Sequence, residues 1–80
     1  MDDLSPPLLL KRLDAARNMA RFYGLSIEPS LFAGSALLRS WGRIGTKGRS
    51  RVVLYGDVEE ARAALERLAA AKLKRGYRPA

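Results

Sequence analysis

"LLRSWGRIGTKGRSRVVLYGD", residues 37–57, holds the chain's single tryptophan among five cationic residues, with no acid before the closing Asp57. The second half of this stretch, Arg49 to Tyr55, is rich in β-branched and aromatic side chains, which suit a pleated strand. The run from Ala36 to Gly45 precedes it, and Thr46 and Lys47 lie between Gly45 and Gly48, a turn signal that predicts an antiparallel hairpin.

Upstream, "RFYGLSIEP" (21–29) is another β-prone run, closed by Pro29 and the small-residue stretch "SLFAGS" (30–35). Residues 8–20 are ambiguous: Leu9, Leu10, Leu13 and Ala16 fit a helical stripe, while Leu8 to Leu13 also fit a short strand. Downstream, Asp57 with Glu60 three residues later has the form of a capping box, so a helix is predicted from Val58 to about Arg75, stopped by Gly76. Val58, Ala61, Leu65, Leu68, Ala69 and Leu73 form its apolar stripe. Acids lead this helix and Lys72, Lys74 and Arg75 trail, in agreement with the helix dipole. Met1 to Pro7 read as a lead-in, and residues 8–80 as one domain. The predicted fold is α+β: a small antiparallel β-sheet covered on one face by a single C-terminal helix.

Alternation along a strand sends Leu37, Arg39, Trp41 and Arg43 to one face and Leu38, Ser40, Gly42 and Ile44 to the other. Arg49 and Arg51 likewise share a face with Val53 and Tyr55. The side carrying Gly42 and Ser40 lets a helix approach closely, so the helix is expected there and the Trp41 side is expected to stay open. An indole between guanidinium groups then offers a stacking surface with phosphate donors beside it. A core anchor with arginines stacked on it is the competing reading of the same residues.

The 80 residues carry 15 basic and 8 acidic side chains, a net charge of +7. Residues 1–35 hold four of each sign, residues 36–56 five bases and no acid, and residues 57–80 six bases and four acids. Such a central excess attracts polyanions. There is no cysteine and no histidine, which removes disulfides, thiolate nucleophiles, the usual zinc ligands and the commonest general base. Asp57, Glu59 and Glu60 are accounted for as helix-start residues, and Glu28 precedes Pro29. Glycines 42, 45 and 48 lack the G-K-[ST] ending of a phosphate loop and lead into a strand, which argues against a nucleotide site. No enzyme activity and no cofactor are therefore expected. The short apolar run "LLL" (8–10) cannot serve as a secretory segment or span a bilayer, and the Ala-rich helix stripe is needed for the core, so no membrane partner is expected and the cytoplasm is the expected location.

From Arg39 onward, "RSWGRIGTKGRSRVVLYGDVEEARAALERLAAAKLKRGYR" resembles a WGR domain, the small module named for its Trp-Gly-Arg triplet, here Trp41-Gly42-Arg43. The likeness continues through Ile44-Gly45, Gly48, the helix, and the closing Lys72, Gly76 and Tyr77, and upstream "NMARFYGLSIEPSLF" (18–32) is similar to the family's first long strand. The resemblance covers roughly residues 8 to 78 and implies a strand for residues 8–13. WGR domains occur in DNA-damage-responsive poly(ADP-ribose) polymerases, where they grip DNA near a break, and in bacterial proteins, including short stand-alone forms. The resemblance implies that Trp41 packs on a sugar or base at a strand terminus, that Asn18 and Arg21 lie beside phosphates, and that Tyr77 closes the site. In the polymerases the triplet's arginine also relays a signal to neighbouring domains, so Arg43 has two implied roles. The 80 residues contain no transferase domain, so only the binding module is implied.

Arg39, Lys47, Arg49 and Arg51 complete the expected nucleic-acid-binding set, Lys47 reading equally as an ordinary exposed turn residue. Two functions remain open at this point: a non-enzymatic module that binds nucleic acid, DNA ends or nicked duplex in particular, and a protein-interaction module that docks an acidic partner or a second copy of itself.

Overall fold

Residues 8–14, ambiguous on local sequence, are extended: Leu8–Asp14 (β1) pairs antiparallel with Met19–Pro29 (β2). The computed structural model describes residues 7–30 and 34–80; Met1–Pro6 of the expected lead-in and Leu31–Ala33 of the small-residue link lie outside the described residues. A single 3-10 turn, Ala15–Arg17, joins the first two strands, and its exit residue Asn18 takes φ 52°, a left-handed conformation that asparagine tolerates. Ser35–Arg43 (β3) and Arg49–Tyr55 (β4) form the predicted hairpin. The helix Val58–Lys74 (α1) follows, and the chain returns as a two-residue strand, Arg78–Pro79 (β5), beside β1. The strand order is β4-β3-β2-β1-β5, all neighbours antiparallel. Neither the 3-10 turn nor β5 has a sequence signal of its own, each being only two or three residues long.

Both helix ends follow the predicted chemistry. The Asp57 carboxylate accepts from the Glu60 amide at 2.8 Å, and the Glu60 side chain accepts from the Gly56 amide at 2.9 Å, one residue before the partner a capping box uses. At the other end Gly76 has φ 99°, its amide donates to the Leu73 carbonyl at 3.1 Å, and the Tyr77 amide donates to the Lys72 carbonyl at 3.1 Å. That pair of bonds is a Schellman stop, and it fixes Lys72 and Tyr77 relative to one another.

The helix lies on the opposite side of the sheet from the one expected. Leu10, Tyr23, Leu25, Ile27 and Leu37 are at most 3% exposed and pack with Ala61, Ala64 and Ala69 of α1. These sheet residues share the face of Arg39, Trp41 and Arg43, because the register sets Tyr23 opposite Trp41, Leu25 opposite Arg39 and Ile27 opposite Leu37. The physical reason lies in the central strands: Tyr23, Leu25, Ile27 and Leu37 stand together on the helix side, each buried leucine or isoleucine contributing about 1.5–3 kcal/mol, while the same stretch of the other side carries Gly24, Ser26, Ser40 and Gly42. Close approach is supplied by the helix, through its alanines, and not by the sheet. The space beside Gly42 is used by the hairpin itself, since a Cβ there would meet the Gly48 Cα. The stripe of α1 is rotated accordingly: Ala64 is buried and Leu73 is 40% exposed.

Gly48 is the residue on which the hairpin end depends. It has φ 67°, and a Cβ there would be driven into the Trp41 carbonyl oxygen, whereas Gly45 has φ 94° with open space around it. Both substitutions by alanine carry the cost of a left-handed non-glycine residue, about 1–2 kcal/mol. Gly48→Ala adds a backbone clash, so its urea midpoint is expected to fall clearly below that of Gly45→Ala, measured by circular dichroism.

Candidate nucleic-acid interface

Strand register gathers the sheet's arginines. Arg12 on β1 lies opposite Arg21 on β2, which lies opposite Arg43 on β3, giving three guanidinium side chains in one row across three strands. The next row along the sheet is Leu10, Tyr23, Trp41 and Arg49, and the one after it contains Leu25, Arg39 and Arg51. All six arginines share the face on which α1 packs. The helix ends over the second row: the Lys72 ammonium sits 4.6 Å from the Tyr23 ring centroid, and Gly76 abuts the Arg12 side chain. The first row therefore emerges just past the helix end.

Like charges directly opposite one another in a sheet are unfavourable. Among the described residues the ion pairs are Arg17 with Asp14 and Arg62 with Glu59, so no carboxylate neutralises these six arginines. Arg43 is held instead by Asn18, donating to its carbonyl oxygen at 3.2 Å and to its Oδ1 at 3.4 Å. The Arg39 Nε donates to the Tyr23 hydroxyl at 3.1 Å, and its guanidinium lies 5.6 Å from the Trp41 ring centroid. A cationic strip without acids breaks a local rule of sheet stability, and such departures concentrate at functional sites.

Beside the first row is an open recess of about 380 Å³, lined by Arg21, Trp41, Arg43, Lys72 and Tyr77, with Phe22 and Gly42 completing the wall. Trp41 does not stand on an open sheet face. It is half-buried, packed against the core on the helix side, and presents one part of its ring to the recess. Tyr77 is buried, stands edge-on to Tyr23 with centroids 6.4 Å apart, and lies 5.4 Å from the Lys72 ammonium. Burial pushes the Lys72 ammonium below its usual 10.5, and the guanidinium groups of Arg75, Arg39 and Arg21 push it the same way.

Of the sequence-derived candidates, Trp41, Arg43, Arg21 and Tyr77 line the recess, with Asn18 tying Arg43 from behind. Arg39 backs the indole. Arg49 and Arg51 are exposed on β4 outside the recess, and Lys47 sits in the hairpin turn away from it. Lys72 and Arg12 were missing from the sequence-derived set. Lys72 is five residues before Tyr77, the spacing closed by the Schellman stop, and that spacing is the signal that could have found it. Arg12 had none, because its place depends on register.

A profile of the WGR domain matches residues 7–80 of this chain. The chain belongs to that family. The WGR domain is 54% identical over 72 residues to the Sinorhizobium fredii protein y4dW, a match that covers 90% of this chain and 35% of that protein. It is 43% identical over 44 residues to the Escherichia coli protein YehF, covering 55% of this chain and 16% of YehF. The chain thus spans about a third or less of the curated relatives it matches. A crystal structure of a Bacteroides fragilis protein superposes with a TM-score of 0.80 over 94% of this chain and 19% of that one, at 23% identity, which shows the shared fold.

Because the folded state lowers the Lys72 pKa, the unfolded chain binds more protons between the lowered value and 10.5, so this group opposes folding at neutral pH and its opposition is relieved as pH rises through that window. Lys72→Met, which keeps the stem but not the charge, is expected to melt at or above the wild-type temperature at pH 7. Wild type should gain on the variant as pH approaches 10.5, as read by paired thermal melts.

Proposed function

We propose that this WGR domain is a non-enzymatic nucleic-acid-binding module that takes the terminus of a DNA strand, at an end or a nick, into the recess beside Trp41. The observation that carries this reading is the row Arg12, Arg21 and Arg43, unneutralised by acids, running past the helix end beside an aromatic-walled recess. Guanidinium groups in a row suit successive phosphate oxygens, and an exposed ring edge beside them suits a sugar or base. The recess wall contains cations and rings and no carboxylate, which suits holding an anion. A one-sided recess of about 380 Å³ admits a terminal nucleoside, which supports strand ends over the interior of a continuous duplex. Family membership supports nucleic acid as the general partner.

The competing reading, an acidic protein docked on the same arginines, predicts binding by any polyanionic chain. Titration of the single tryptophan's fluorescence separates the two: saturable quenching by a short 5′-phosphorylated duplex and none by polyglutamate supports a nucleic-acid terminus, and the reverse overturns it. With four cations engaged, log affinity is expected to fall with log salt at a slope of roughly −4, and Arg21→Gln should reduce that slope by about one. Trp41→Ala, with its fold confirmed by circular dichroism, should weaken duplex binding by about 1–3 kcal/mol, while Arg67→Ala on the exposed side of α1 should leave it nearly unchanged. Equal losses would sink the assignment of the recess.

A further inference from the structure

The sheet face turned away from α1 carries exposed apolar side chains, with Ser26, Ser40 and Ser50 between them, and has no covering element among the described residues. Leu54 and Leu13 are 63% exposed there, Val52 57%, Leu9 52% and Ile44 43%, and Leu38 lies between them, half-buried. Leu38, Val52 and Leu54 adjoin one another across β3 and β4, an exposed apolar patch of the kind that often marks an interaction site. Strands about 4.8 Å apart and seven residues long at about 3.3 Å each give this face roughly 500 Å². Two such faces together bury on the order of 1,000 Å², the lower bound of a specific protein interface.

We propose that a second copy of this chain docks on the helix-free face, Leu9, Leu38 and Val52 of each copy meeting at the centre, leaving both arginine recesses open on the outside of the dimer. Charge argues for a second copy in this place. The chain carries +7, and the sheet's six arginines and Lys72 lie on the other side, so like-charged copies repel one another through that side. The helix-free face is close to balanced, with Lys11 and Arg78 against Glu28.

The register also makes this face complementary to itself. Lys11 lies opposite Phe22, and Glu28 is six residues further along β2, about 20 Å away at the rise of a strand. A twofold axis crossing the strands midway, at the level of Leu25, exchanges those two levels. It brings Lys11 of each copy over Glu28 of the other. Leu9, level with Gly24, and the Leu38–Val52 pair, level with Ser26, lie within one residue of that axis and so meet their own counterparts. The result is a centre of Leu9, Leu38 and Val52 interspersed with the small residues Gly24, Ser26, Ser40 and Ser50, and an ion pair at each rim. Neither Lys11 nor Glu28 has an ion-pair partner within the chain among the described residues.

The test is the mass of the 80-residue chain by sedimentation equilibrium in about 0.15 M salt, from about 10 μM to about 1 mM, the range in which a small interface associates. The expected result is a rise from 8.8 kDa towards twice that value. Val52→Lys with Leu54→Lys, both solvent-facing and therefore tolerated by the fold, should hold the chain at 8.8 kDa with an unchanged circular dichroism spectrum. Lys11→Glu should weaken self-association by about tenfold through repulsion from Glu28, and adding Glu28→Lys should restore it. A mass of 8.8 kDa across the whole range overturns the proposal, as does a dimer that survives the two lysine substitutions or a charge swap that fails to rescue. Binding of a 5′-phosphorylated duplex by these variants should match wild type, since the recess is on the opposite face.

Discussion

The burial of Leu25, Ile27 and Leu37 beneath the alanines of α1 is the constraint from which the rest of the molecule follows. Once those side chains define the covered face, alternation places Arg39, Trp41 and Arg43 on the same side, and the tryptophan becomes part of the core's border. The alanine ridge lets the helix come close enough that its last turn reaches Tyr23, and Lys72 lines the recess with Trp41. Its end, fixed by Gly76, then decides how much of the arginine strip stays uncovered. A longer helix would lie over Arg12, Arg21 and Arg43; a shorter one would leave Tyr77 without the Lys72 contact that seats it.

The covered face brings together groups that do not favour one another. Arginines stand opposite arginines in the register, and Lys72 is partly desolvated among further cations. Aromatic rings relieve part of this, Tyr23 and Tyr77 for Lys72 and Trp41 for Arg39, each such contact contributing on the order of 0.5–2 kcal/mol. What the strip lacks is an anion. The fold therefore holds an electrostatic cost at these residues that a bound anion would relieve.

Several elements were legible one at a time. The hairpin could be read from Gly45 to Gly48, the helix limits from Asp57, Glu60 and Gly76, and the strand nature of β1 from the family resemblance, where its own leucines fit two periods equally. The side of the sheet that receives the helix is not legible in the same way, because Gly42 and Ser40 suggest room for a helix. That room is filled by Gly48 and by the Ser40 side chain over Gly24. Trp41, Arg21, Arg43 and Tyr77 line one recess, while Arg49 and Arg51, placed on the same face by alternation, pair with Trp41 and Arg39 but lie outside the recess, and Lys47 sits in the hairpin turn.

By itself the sequence determined what is local: which residues of β2 to β4 alternate, where the helix caps, where the Gly45–Gly48 turn falls, and that positive charge gathers around one tryptophan. These depend on contacts a few residues apart. Only the tertiary structure decided which face is inside and which arginines become neighbours. Both depend on the pairing register of separate strands, where a slip of one residue exchanges the two faces, and on apolar area summed over all of them.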